Sequence, residues 1–338
     1  MKFSVGYQHR RDNLLLDAIT ENKAQIDEIY FPWDGFANGR NGSFAVSGQT
    51  KDEFSRKRAD DFEKLNKLGI NFNLLLNGNC YGKDALSRDF YYRIGNTLDE
   101  LKQKFNLTTV TTTSPIIAKF IKQNFDDISV RASVNMEIGV PEGIDYLSEY
   151  FDSFYLKREY NRNFEALQKM REFCDKNGKQ LFGLANSGCL NFCSARTFHD
   201  NLVSHENEII KEDNAYHFEG LCYTYLKNPE KRKNWLSITN FIRPEDVHLY
   251  EKLFDGLKLA TRVSTNASRI IRAYTKGSFS GAVTDLLEPN HGAMFYPSLI
   301  ENSLFPTDFA SVVGNCDKNC SKCDYCKFAL NKATINLE

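Results

Sequence analysis

Four cysteines stand within eleven residues near the end of the sequence: Cys316, Cys320, Cys323 and Cys326, spaced C-x3-C-x2-C-x2-C. Thiols this crowded are poorly spaced for strain-free disulfides but well spaced to converge on one soft metal. The spacing suits an iron–sulfur cluster and equally a zinc ion held by four thiolates. A looser set lies upstream: Cys189 and Cys193 as a C-x3-C pair, with Cys222 after them and Cys80 far before. The two sets take eight of the nine cysteines. A competing mid-chain set is Cys189, Cys193, His199 and His205 for zinc, although the interval between its Cys and His pairs is short for a finger. The C-x3-C-x2-C spacing of radical S-adenosylmethionine enzymes fits Cys316, Cys320 and Cys323, but almost no chain follows them. At the mid-chain pair its third position holds Arg196. The ninth cysteine, Cys174, falls at helical spacing with Phe164, Leu167 and Met170 and reads as a core thiol.

Stepping along the chain shows what must position these groups. Short apolar runs at 2–7, 26–33, 70–77, 107–113, 128–138, 153–158, 180–185, 235–240 and 256–261 read as strands. Helical stretches lie between most of them, including 12–22, 97–105, 163–177, 243–254 and 266–276, and a polar loop covers 34–48. This alternation predicts βαβ units, and so many of them favour a closed (β/α)8 TIM-like barrel over an open sheet. The Gly-rich dinucleotide fingerprint is missing after the first strand, where Gly6-Tyr7-Gln8-His9 stands. Residues 189–234 interrupt the alternation as an insertion carrying cysteine and histidine. The expected division is a barrel over 1–287 and a Cys-rich tail over 288–338. Placed after the strand at 180–185, Cys189 and Cys193 fall at the end where barrel active sites form, and Cys80 reaches the same rim.

The strand at 128–138 says most about the interior. Val130, Ala132, Val134 and Met136 alternate with Arg131, Ser133, Asn135 and Glu137. Neighbouring side chains face opposite ways, so the apolar set should pack outward and the polar set inward, towards a pocket. Glu137 is a candidate acid or base there. Arg158 and Arg162 are candidate clamps for a carboxylate or phosphate, with Lys258 and Arg262 on the same mouth. Tyr7, Trp33 and Tyr81 could stack a ring, and His9 follows the first strand.

Composition excludes several classes. The 338 residues are 41% hydrophobic and 26% charged, enough for a substantial core, and the net charge of -1 gives no global footprint for nucleic acid. No stretch approaches the roughly 18 apolar residues of a membrane span. The first residues lack the apolar run of a signal peptide, so a reducing cytoplasm is expected, where clustered cysteines favour metal over disulfides. Neither H-E-x-x-H nor G-x-S-x-G occurs. A thiol nucleophile would have to come from a pair such as Cys193 with His199 or His205.

Three stretches occur in a familiar order: Glu137-Ile138-Gly139-Val140-Pro141, then Phe154-Tyr155-Leu156-Lys157-Arg158-Glu159-Tyr160-Asn161-Arg162-Asn163, then Leu184-Ala185-Asn186-Ser187-Gly188-Cys189. With Ile242-Arg243-Pro244-Glu245-Asp246 and Gly256-Leu257-Lys258-Leu259-Ala260-Thr261-Arg262, the sequence resembles the U32 peptidase-like family over about residues 1–285. The resemblance implies a β/α barrel. It also implies a 4Fe–4S cluster on four cysteines, here one cluster or two, with zinc as the alternative. Several members take part in oxygen-independent hydroxylation of tRNA, rRNA or quinone precursors, while others are called peptidases. The C-x3-C pair is nearer the quinone-hydroxylation branch. The expected function is therefore redox modification of an RNA, peptide or small aromatic substrate at the barrel mouth, served by an electron donor or partner protein. The alternatives are a peptidase and a non-catalytic zinc or iron–sulfur scaffold.

Overall fold

The computed structural model describes residues 1–40 and 50–337. The part of the expected 34–48 loop beyond residue 40 lies outside the described residues. Eight parallel strands close into a barrel in chain order: β1 (Phe3–Gly6), β2 (Ile26–Pro32), β3 (Asn71–Leu76), β4 (Leu107–Thr112), β5 (Ser129–Ala132), β6 (Ser153–Tyr155), β7 (Gln180–Leu184) and β8 (Gly256–Leu259). Closure is made by β8 against β1, with Val5 opposite Leu259. The fold is the (β/α)8 barrel that the alternation predicts.

Local chemistry starts the outer helices. Thr50 and Glu53 form a reciprocal capping box at helix Lys51–Lys67. Ser87 caps Arg88–Lys104, Ser114 with Pro115 opens Pro115–Asn124, and Asn266 caps Ala267–Lys276. Ile29, Phe31, Leu74, Val110, Val130 and Leu257 face outward into one apolar layer between sheet and helices. Cys174 is part of that layer.

The barrel interior is polar at its centre. The Arg131 guanidinium lies 2.6 Å from Glu28. Asn73 donates to Glu28 at 2.8 Å, Thr111 donates to Asn73 at 2.9 Å, and Arg131 Nε donates to Ser153 at 3.0 Å. Arg131 also lies over Phe182, 3.8 Å from the ring centre. Five strands, β2 to β6, are thereby joined side chain to side chain. Burial pushes the Glu28 carboxyl up, but Arg131, Asn73 and Ser4 outweigh it and hold the group below its ordinary value.

Three local expectations are corrected. The fifth strand ends at Ala132, not near 138, because Ser133 caps a 3-10 turn over Val134–Met136. The alternation therefore stops, and Val134 packs with Tyr155, Phe182 and Leu184 instead of outward. Residues 235–240 are not a strand: Trp235–Ser237 is a 3-10 turn whose Trp235 and Leu236 are buried in a second apolar cluster. The expected helix at 243–254 is a 3-10 helix, Pro244–Tyr250.

That second cluster joins the insertion to the tail. Leu226, Trp235 and Phe241 pack with Phe305, Phe309, Val313 and Leu330. In the tail, helices Phe309–Asn315 and Tyr325–Ala333 flank the cysteine loop, and β9 (Ser298–Ile300) pairs antiparallel with β10 (Thr334–Asn336). Removing one member of the interior ion pair should leave an uncompensated buried charge. Arg131→Met is expected to lower unfolding free energy by about 3–5 kcal/mol, read by urea denaturation, and the double change with Glu28→Leu to cost much less.

Candidate functional site at the barrel mouth

The C-terminal ends of the strands open into a cavity lined by Arg40, Asn77, Asn135, Arg158, Ser187, Cys189, Lys258, Arg262 and Glu288. They come from the segments that follow β2, β3, β5, β6, β7 and β8, and from β8 itself for Lys258. Glu288 reaches the mouth because its backbone bridges to Ser187, and Gly188 N–H donates to its carbonyl at 2.8 Å. Only glycine fits at 188, since a Cβ there would meet the Pro289 carbonyl oxygen at 2.1 Å.

Charge at the mouth is sorted into pairs and leftovers. Glu137 adopts a left-handed backbone, φ 54°, which turns its carboxylate between two guanidiniums. Arg158 lies 3.4 Å away and Arg196 2.8 Å away. Arg196 also contacts Glu159 at 2.9 Å, and Phe192 N–H donates to the same carboxylate. Arg40 contacts Glu288 at 2.9 Å. Among the described residues, two basic groups here have no ion-pair partner. Arg262 is 7% exposed with its Nη1 unpartnered, and burial lowers its pKa to about 10. Lys258 is 9% exposed, and its Nζ rests 3.9 Å from the centre of the Tyr30 ring. Burial, then the positive field of Arg262, lowers the Lys258 pKa to about 7.

Arg162 is not at the mouth, which corrects its pairing with Arg158. It donates to the carbonyls of Leu236 at 2.6 Å, Thr239 at 2.9 Å and Phe241 at 3.2 Å. The cause is the 3-10 turn Arg158–Arg162, in which four residues leave the two side chains a third of a turn apart. Sequence reasoning missed Arg40 and Glu288 and gave Arg196 no role. The short interval from Cys193 to Arg196 was the available signal.

The mid-chain thiols divide. Cys189 lines the mouth. Burial raises the Cys222 thiol to about 11, and nearby Cys189 and Cys193 add to the rise. His199 and Cys222 both lie within 4.0 Å of where a side chain at Gly220 would begin. Burial, with Arg40, lowers the His199 pKa and favours a neutral ring. Cys80 and His205 are elsewhere, which corrects both mid-chain ligand sets and the pairing of Cys193 with His205. They line a separate cavity with Trp33, Phe36, Tyr81 and Glu208. There the His205 ring hydrogen-bonds the Cys80 thiol and lowers its pKa, Gly82 N–H donates to the sulfur at 3.4 Å, and His205 Nδ1 is 3.0 Å from Glu208. Among the described residues, no three His, Cys, Asp or Glu side chains stand close enough together to hold a metal ion.

The tail cysteines do share a surface. Cys316, Cys320, Cys323 and Cys326 line one pocket, with Lys318 Nζ 3.2 Å from the Cys316 sulfur. Burial raises the Cys326 pKa, nearby Arg162 opposes the rise, and the other three thiols add to it. The remaining candidates are packed away from the mouth. Tyr7 is buried and donates to Asp61 at 3.1 Å, His9 lies against Phe54, and Arg58 covers Trp33. Tyr81 OH donates to the Leu76 carbonyl.

No family model matches the chain. An uncharacterized protease of Methanocaldococcus jannaschii is 26% identical over 271 residues, which is 79% of this chain and 78% of that one. A solved U32 peptidase superposes with a TM-score of 0.54 at 18% identity, covering 76% of this chain and 91% of that chain. The chain is similar to both over about three quarters of its length or more. Its barrel is the architecture of that solved peptidase. Among the described residues, no helix is long and apolar enough to cross a membrane.

Thiol reactivity should follow the sorting of the cysteines, because the thiolate is the nucleophile. At neutral pH iodoacetamide is expected to modify Cys80 ahead of Cys222 and Cys174, both of whose thiols are raised to about 11. His205→Gln should slow Cys80 several-fold in peptide mass spectrometry and leave the other two unchanged.

Proposed function

We propose that this U32-like chain is an iron–sulfur oxidoreductase that modifies a substrate held at the barrel mouth by a carboxylate or phosphate. The observation that carries the reading is the unpartnered Nη1 of Arg262 in one cavity with Lys258, Arg40 and Arg158. A guanidinium with a free, buried N–H gains most from an anionic acceptor. The substrate classes that fit are an RNA, an acidic peptide or an anionic small aromatic molecule, and the reaction is oxygen-independent hydroxylation or related redox chemistry.

The four tail thiols line one pocket and are a soft, all-sulfur donor set in kind; they stand too far apart here to hold a metal, and drawn together they would suit a 4Fe–4S cluster or zinc. Cys189 at the mouth, with Cys193, Cys222 and His199, is proposed as the ligand set of a further cluster that would draw them closer than they stand here. A bound cluster supplies single electrons. The chain's own part is to orient the anion with Arg262 and Arg158, to fix Arg158 through Glu137, and to keep water from the interior with Tyr30, Val134 and Leu184. A cluster that cycles needs an electron donor, so a redox partner protein is part of the proposal, as is a reducing cytoplasm that keeps the thiols free. A second reading, thiol-dependent peptide processing, is favoured by Cys80 beside His205 and Glu208, and by the name protease carried by the archaeal relative.

Anaerobic purification is the test. The protein is expected to be brown, with iron and acid-labile sulfide in equal amounts. Cys320→Ser with Cys323→Ser should remove the tail complement, and Cys189→Ser with Cys193→Ser the other. Zinc without sulfide would overturn the redox reading in favour of a scaffold. Arg262→Gln should weaken binding of inorganic phosphate about tenfold, the equivalent of one charge-assisted hydrogen bond, in calorimetric titration.

A further inference from the structure

Lys258 has a role open to it beyond attraction of an anion. Its strand neighbours Leu257 and Leu259 face the outer apolar layer, so Lys258 faces the interior, opposite Ser4 on β1 and Leu184 on β7. A lysine buried this deeply ordinarily pairs with a carboxylate. Here both nearby carboxylates are taken: Glu28 by Arg131 at 2.6 Å, and Glu288 by Arg40 at 2.9 Å. The phenol of Tyr30 donates to the Leu259 carbonyl at 2.8 Å, and Tyr155 is within reach of Arg131. Among the described residues, the amine therefore has ring faces beneath it, Tyr30 at 3.9 Å and Tyr155 at 5.4 Å, and it lines the cavity. A desolvated lysine beside a second cation is the arrangement that keeps an amine neutral and nucleophilic.

We infer that Lys258 is an amine nucleophile that forms an imine with a carbonyl compound whose carboxylate or phosphate is held by Arg262. The step balances without a redox partner. The nitrogen lone pair attacks the carbonyl carbon, a C–N bond forms, and the carbonyl oxygen leaves with the two amine hydrogens as water, giving C=N. Arg262 serves as the positioning residue, since its unpartnered Nη1 belongs to the same cavity. The inference deepens the mouth reading above and rests on it for the anion.

The experiment is borohydride trapping on the full chain, with pyruvate as the carboxylate probe and dihydroxyacetone phosphate as the phosphate probe. The expected result is one reduced adduct, mapped to Lys258 by peptide mass spectrometry with whichever anion the mouth accepts. It should be absent in Lys258→Met and in Lys258→Arg, which keeps the charge, and several-fold weaker in Arg262→Gln. An adduct scattered over exposed lysines, or undiminished in Lys258→Arg, overturns it. Calorimetric binding of either probe without an adduct overturns the imine and leaves the anion site standing. Absence of both binding and adduct overturns both.

Discussion

The ion pair between Glu28 and Arg131 is the constraint around which the barrel is arranged. Two charges at its centre are removed from water, a cost of several kcal/mol per ion that close contact and satisfied hydrogen bonds must offset. Asn73, Thr111 and Ser153 supply those bonds, and Phe182 covers the guanidinium face. The pair joins β2 to β5 across the interior, and its satellites carry the network from β2 round to β6. It also closes the floor of the mouth electrically, because its charges cancel each other and leave nothing for Lys258.

Above that floor the same logic is applied unevenly. Glu137 and Glu159 lie against Arg196, and Glu137 against Arg158, so charge on the β5 and β6 side of the rim is paired, although Arg158 Nε and Glu159 Oε2 stay unpartnered. Arg262 and Lys258, on the β8 side, have no such counterweight. The cavity is thus polarised across its width, with ion-paired charge on one wall and, among the described residues, unpaired basic groups on the other. Buried charge left uncompensated lowers stability, and its retention at one edge of the rim marks where a ligand is expected to complete the balance.

Period carried the sequence reading where backbone was regular and misled it where backbone turned. Eight of the strands follow from alternation of strand and helix patterns, and the inward course of Arg131 follows from strand geometry alone. Val134 could not be placed the same way, because Ser133 caps a turn that ends the two-residue period. Trp235 and Leu236 look like strand residues since a buried 3-10 turn needs the same apolar side chains. The direction of Arg162 depends on carbonyls of residues 236–241, some eighty positions later, and no local pattern records that. The tail cysteines were legible as a group because they are neighbours in sequence. Cys80 was not, since only the closed fold reveals that it meets His205 and not Cys189.

The shared apolar cluster of insertion and tail has a consequence for biogenesis. Leu226, Trp235 and Phe241 wait for Phe309, Val313 and Leu330, which are synthesised well after them. Vectorial synthesis lets the early βα units assemble as they emerge, but this patch stays open until the later helices have been made. The cluster therefore closes after the barrel units that precede it, and the nascent protein carries a sticky, unfinished face through that interval.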